Sequence, residues 1–146
     1  MESALKKIWT DDDFEIMGWH DCRIYGLHIL NEIIFDIDYI FKWDLNQSTN
    51  CYSFWISPAT LVFHNPHDLN INIDLDFING LEIADLNREI LNTKEFKWIM
   101  QTQEGDISFV ASGYSQFIRK LPQFSNSQFL SSEQRNGYCF EKTTYK

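Results

Sequence analysis

A chain of 146 residues fits one domain and is long enough to bury roughly 70% of the surface its unfolded form exposes, so it needs no disulfide staple. Its 44% apolar and 16% aromatic content excludes intrinsic disorder, and no apolar run approaches the roughly 20 residues of a membrane-crossing helix. The net charge of −9 disfavours nucleic acid and anionic membrane as partners and favours a basic protein.

The charge is unevenly spread. Residues 11–85 carry fourteen acids against Arg23 and Lys42 alone, while the rest of the chain carries seven acids and ten bases. The start, MESALKKIWTDDD, turns acidic where a signal peptide needs an apolar stretch, so a soluble, cytoplasmic protein is expected. Cys22, Cys51 and Cys139 are odd in number, widely spaced and free of any CxxC pair, which points to reduced thiols rather than a disulfide framework or a zinc knuckle.

In chain order, TDDDFEIM (residues 10–17) predicts a helical turn within an N-terminal segment 1–17, capped by Thr10 or Asp11 and stopped by Gly18. WHDCRIYGLHIL and IIFDIDYIFKW then alternate with period two and predict a hairpin turning at Asn31 and Glu32. A two-residue loop would set Cys22 opposite Phe41, Ile24 opposite Tyr39, Gly26 opposite Ile37 and His28 opposite Phe35 on an apolar face. Asp36 and Asp38 then fall on the other, solvent-facing side, with Tyr25 opposite Asp38 and Arg23 diagonal to it.

YSFWIS and PATLVF read as strands, with Pro58 at an edge or bulge, and HNPHD as a turn. LNINIDLDF (residues 69–77) alternates cleanly, with Leu69, Ile71, Ile73, Leu75 and Phe77 inward and Asn70, Asn72, Asp74 and Asp76 outward, before a tight turn at Asn79 and Gly80. ADLNREIL (84–91) is read as a short helical turn. FKWIMQTQEGDISFVASGY predicts a second hairpin turning at Glu104 and Gly105, with Trp98 facing Ala111, Met100 facing Phe109 and Thr102 facing Ile107. Residues 122–137 are loop-rich, and YCFEKT is a last short strand. The sum is one globular domain over residues 1–146, mainly β: an antiparallel sandwich or barrel of about eight strands with little helix.

Few constellations suggest chemistry. In WHDC, His20 and Cys22 share one strand face and Asp21 the other, so the three do not converge. His64, His67 and Asp68, bracketing Asn65 and Pro66 near a turn, are the better candidate metal ligands. NINIDLDF places oxygen ligands at alternate positions but has Leu75 where a calcium loop needs glycine and Leu81 where it needs glutamate. No phosphate loop, G-x-S-x-G elbow or H-E-x-x-H is present, so no catalytic residue is assigned and no cofactor is implied.

MGWHDCRIYGLHI, FDIDYIFKW, FWISPATLVFHN, LEIADLNR and QEGDISFVASGY together resemble a family of small uncharacterised bacterial proteins, over roughly residues 17–120. The resemblance implies a bacterial origin and a single compact domain, and it carries over no activity or site.

Three functions compete on these residues. The foremost is a non-enzymatic interaction module, immunity-like, that masks a basic partner through an acidic surface of Asp36, Asp38, Asp74 and Asp76. The second is a small-ligand-binding β-barrel, and the third a metal-dependent hydrolase built on the histidines.

Overall fold

The computed structural model describes residues 6–76, 78 and 80–146. Its strands are β1 (Ile8–Thr10), β2 (Arg23–Ile29), β3 (Ile33–Asn46), β4 (Cys51–His64), β5 (His67–Ile73), β6 (Leu81–Ile90), β7 (Phe96–Thr102), β8 (Gly105–Ala111), β9 (Gly113–Ile118) and β10 (Gln123–Ser125). All pairings are antiparallel, in the order β1-β9-β4-β3-β2-β6-β7-β8-β5, with β10 adding to β4 beyond the end of β9. The expected mainly β antiparallel class is therefore present. The sheet is not a closed barrel, because β1 and β5 end the strand order without pairing to each other.

Instead the sheet folds over. Phe63 of β4 lies 5.3 Å from Trp98 of β7 and 4.6 Å from Phe109 of β8, centroid to centroid, although β3, β2 and β6 separate these strands in the hydrogen-bonded order. The interior is filled with rings rather than left open: Phe35, Phe63, Trp98, Phe109 and Tyr114 are all buried. Trp19, ahead of β2, closes one end by donating from its indole to Gln116 at 2.9 Å.

Of the two caps expected, Thr10 is the one that starts a short 3-10 helix, Asp11–Ile16, and its amide donates to the Asp13 carboxylate at 2.9 Å. YSFWIS and PATLVF form the single strand β4. Pro58 sits in its middle, where the neighbour changes from β9 to β10. Its carbonyl accepts from Arg119 at 3.0 Å on that side, so its missing N–H faces the same break and costs no ladder bond.

Five local expectations are corrected. The β2–β3 hairpin has a three-residue connection, so Leu27 pairs with Phe35 and Ile29 with Ile33, until a bulge at Tyr25 shifts Ile24 onto Ile37. His28 consequently leaves the core side and is exposed, its ring 5.6 Å from Phe140. The β7–β8 hairpin turns one residue earlier than expected, so each partner slips by two and Trp98 pairs with Phe109 and Met100 with Ile107. An even slip preserves both faces, so its buried side is as predicted. Residues 84–90 belong to strand β6 rather than a helical turn, and residues 138–143 form no strand. In β5 only Leu69 and Ile73 are half-buried, and Ile71 is exposed at the sheet edge; Phe77 and Asn79 lie outside the described residues.

Candidate functional site

Asp36 and Asp38 are not on a wet face. Both are fully buried, because residues 119–146 cross the outer side of β3 and bring two arginines down onto them. Asp36 accepts from Arg119 at 2.7 Å, from Arg135 at 2.8 and 3.2 Å, and from the Cys139 amide at 3.0 Å. Asp38 accepts from Arg135 at 3.0 Å, from the Tyr25 hydroxyl at 2.6 Å and from the Leu130 amide at 2.8 Å.

Arg135 closes the one-turn helix α1 (Ser132–Arg135) and is itself buried. Its guanidinium also donates to the Gly137 carbonyl at 2.8 Å and the Ile37 carbonyl at 3.2 Å, and its central carbon stands 3.6 Å from the Tyr25 ring centroid. Five donated bonds use the full donor set of an arginine. Arg119 reaches Thr60, whose hydroxyl donates in turn to the Glu141 carbonyl. Burial alone would raise the Asp36 carboxyl. The bonds from Arg135 and Arg119 outweigh it and hold the group below its ordinary value.

The remaining sequence candidates disperse. Asp74 and Asp76 are exposed, and β2, β6, β7 and β8 separate β5 from β3, so the two acidic strips do not meet. His64 contacts Glu32 at 2.9 Å and Ser115 at 2.8 Å, whereas His67 contacts Glu95 at 2.6 Å and Asp68 at 3.1 Å. The two histidines thus serve different carboxylates. Among the described residues no group of three His, Cys, Asp or Glu side chains is arranged to hold a metal ion. In WHDC, burial pushes the Cys22 thiol up to about 12, the opposite of nucleophile activation. His20 instead stacks on Trp43 at 6.0 Å and contacts the Ala84 carbonyl.

That stack belongs to a surface the sequence reading missed. Strands β3 and β4 pair to Asn46 and Cys51, and beyond Phe54 and Trp55 no third strand covers them except β10 at its start. On this arm Trp43 pairs with Phe54 and Leu45 with Tyr52, so all four side chains share one face. Leu45 and Tyr52 are 46% and 49% exposed and Trp43 is 36% exposed, which makes an apolar patch rather than scattered residues. A shallow groove at its base is lined by Ile16, Tyr39, Phe41 and Trp43, with Asp21 3.6 Å from His20 and the exposed Glu15 beside Ile16.

One signal in the sequence pointed to the covered outer face. PATLVF is apolar at both parities, and Ile34 and Ile40 are apolar on the side assigned to solvent, a pattern of strands covered on both faces. Fourteen-residue strands outlast neighbours of seven, which leaves an overhang. Among the described residues no helix is long and apolar enough to cross a membrane. Comparisons with protein-family models, with curated proteins and with solved structures find no match for this chain.

Proposed function

We propose that the protein is a non-enzymatic, immunity-like interaction module of bacterial cytoplasm that docks a basic protein on the β3–β4 arm. The observation that carries this reading is the exposed Trp43, Leu45 and Tyr52 face, with Asp21 beside His20 at its base and Glu15, which pairs with Arg88 at 3.6 Å, next to Ile16. Aromatic anchors with an acidic margin suit a partner segment that combines apolar residues with cations, since the rings supply contact area and the carboxylates steer and orient. Asp74 and Asp76 are exposed, but four strands separate β5 from β3 in the hydrogen-bonded order. Asp36 and Asp38 are already paired within the chain and have no free charge to offer.

The other two readings have less support. A ligand-holding barrel lacks its closed wall and its empty interior, and a metal-dependent hydrolase lacks convergent ligands among the described residues. The test is affinity capture from a bacterial lysate with the wild type and a Trp43→Ala/Tyr52→Ala variant, at low and high salt. A basic protein held by the wild type, released at high salt and not held by the variant supports the reading; retention by the variant sinks it.

A further inference from the structure

The outer face of β3 holds a second arrangement with the character of a binding site. In the segment that covers it, residues 126–141, Leu130 and Arg135 are the buried side chains, while Ser131, Ser132, Glu133, Gln134, Asn136 and Tyr138 are exposed; Phe140 packs over Gly26 and His28, and Phe129 lies against Arg23. At the centre what holds it is polar. Five N–H groups of Arg135 meet five oxygen positions, supplied by Asp36, Asp38, Ile37 and Gly137, and the guanidinium plane lies against Tyr25. Only the Gly137 carbonyl comes from the covering segment itself.

The other acceptors and the ring belong to β2 and β3. They remain in place if the segment lifts, and Asp38 then loses its arginine altogether, whereas Asp36 keeps Arg119. A fixed fork of carboxylates with an aromatic wall matches a guanidinium and not an ammonium, whose three donors on a flexible stem do not reproduce the planar pattern. A segment tied down by few buried apolar contacts is also among the first parts of a protein to open locally.

We propose that Asp36, Asp38 and Tyr25 form a guanidinium-recognition site that Arg135 occupies from within the chain, and that an arginine side chain of a basic protein displaces residues 126–141 to enter it. The identity of the incoming arginine rests on the docking function proposed above; the site does not.

The experiment uses the full chain in two arms. First, Arg135→Ala is melted with increasing methylguanidinium or methylammonium at matched ionic strength. Methylguanidinium is expected to raise the melting temperature and methylammonium to leave it unchanged; equal responses overturn the proposal. Second, because the variant can fail to fold, the wild type is mixed with hexa-arginine or hexa-lysine peptide and amide exchange is followed. The Leu130 and Cys139 amides, bonded to Asp38 and Asp36, are expected to exchange about tenfold faster with the arginine peptide while β3 and β4 stay protected. No acceleration, or the same acceleration by lysine, overturns it. Capture retained by Trp43→Ala/Tyr52→Ala with an intact arginine response would sink the arm and leave this site standing, whereas capture lost by that variant with no arginine response would sink this site and leave the arm.

Discussion

Arg135 and Asp36 are 99 residues apart in the chain and 2.8 Å apart in the fold. That contact joins the two halves of the uneven charge distribution. Arg119 and Arg135 come from the part of the chain richer in bases and neutralise carboxylates of the acidic part, and Lys142 does the same for Glu32. Much of the polarity that suggests an external basic partner is therefore consumed inside the molecule. The acid left for recognition lies elsewhere, on residues such as Asp21, Asp74 and Asp76.

Removing one member of the buried network leaves its partners charged and dry. Asp38→Ala is expected to cost about 3 to 5 kcal/mol of unfolding free energy, as for other broken buried pairs. Urea denaturation measures it, and a loss below about 1 kcal/mol would show that the network contributes little. Arg135→Met with Asp38→Leu should lose less than either charge-stranding single change, because no unpaired charge then remains buried.

Acid sensitivity follows from Asp36. Its carboxyl is held down in the folded state, so its contribution is fully present above the unfolded carboxylate value of about 3.9 and is lost as pH falls through the lower folded value. Wild type should therefore lose stability on acidification below about pH 4, and Asp36→Asn should show a flatter profile over that window despite its lower starting point. Parallel profiles would contradict the assignment.

His67 titrates upward. Hydrogen bonds to Glu95 and then Asp68 raise its value above that of a free histidine, so the charged pair persists below the ordinary value and dissolves as pH rises through the higher one. In an NMR titration the His67 midpoint should lie above 6.5, and Glu95→Gln should lower it. An unchanged midpoint in that variant would remove Glu95 as the cause.

The turn between β7 and β8 depends on Gly105. Its φ is +140°, and a Cβ there would stand 1.9 Å from the Asn72 carbonyl oxygen, which is backbone and has no rotamer to escape into. Gly105→Ala should destabilise by more than about 1 kcal/mol and loosen the β5–β8 pairing, read as faster amide exchange in β5. Gly137→Ala is the internal comparison, with positive φ but open space around it.

Thiol reactivity should separate the cysteines. Cys51 is exposed on the arm and Cys22 is buried with its thiol raised to about 12. A thiol reagent should modify Cys51 first and reach Cys22 only on unfolding, a difference that mass spectrometry of tryptic peptides resolves.

The faces of β7 and β8 were legible because a period-two pattern survives any even error in register. Asp36 and Asp38 were misplaced for a reason of the same kind. Alternation reports that a face differs from its neighbour; it does not report what lies on it, and an aspartate covered by arginine looks the same in sequence as one covered by water. The covering residues lay in RKLP and SSEQRNG, stretches without periodicity, where Arg119 and Arg135 carry no mark of their destination. The bulge at Tyr25 did have a signal, Gly26 immediately after it, since an isolated glycine inside a strand pattern marks a bulge or a close approach. On the arm, the aromatic count was plain, but exposure depended on which strands run past their neighbours.

The length of the loop closed by Arg135 sets an order of events during synthesis. A ribosome adding about 5 to 20 residues per second needs about 5 to 20 s to travel from Asp36 to Arg135. Through that interval β3 and β4 can pair while Asp38 has no arginine, so the outer face of the hairpin stays hydrated and its buried state is deferred. A nascent chain halted before residue 135 would carry this unfinished face and would present to a chaperone or protease what the complete molecule hides.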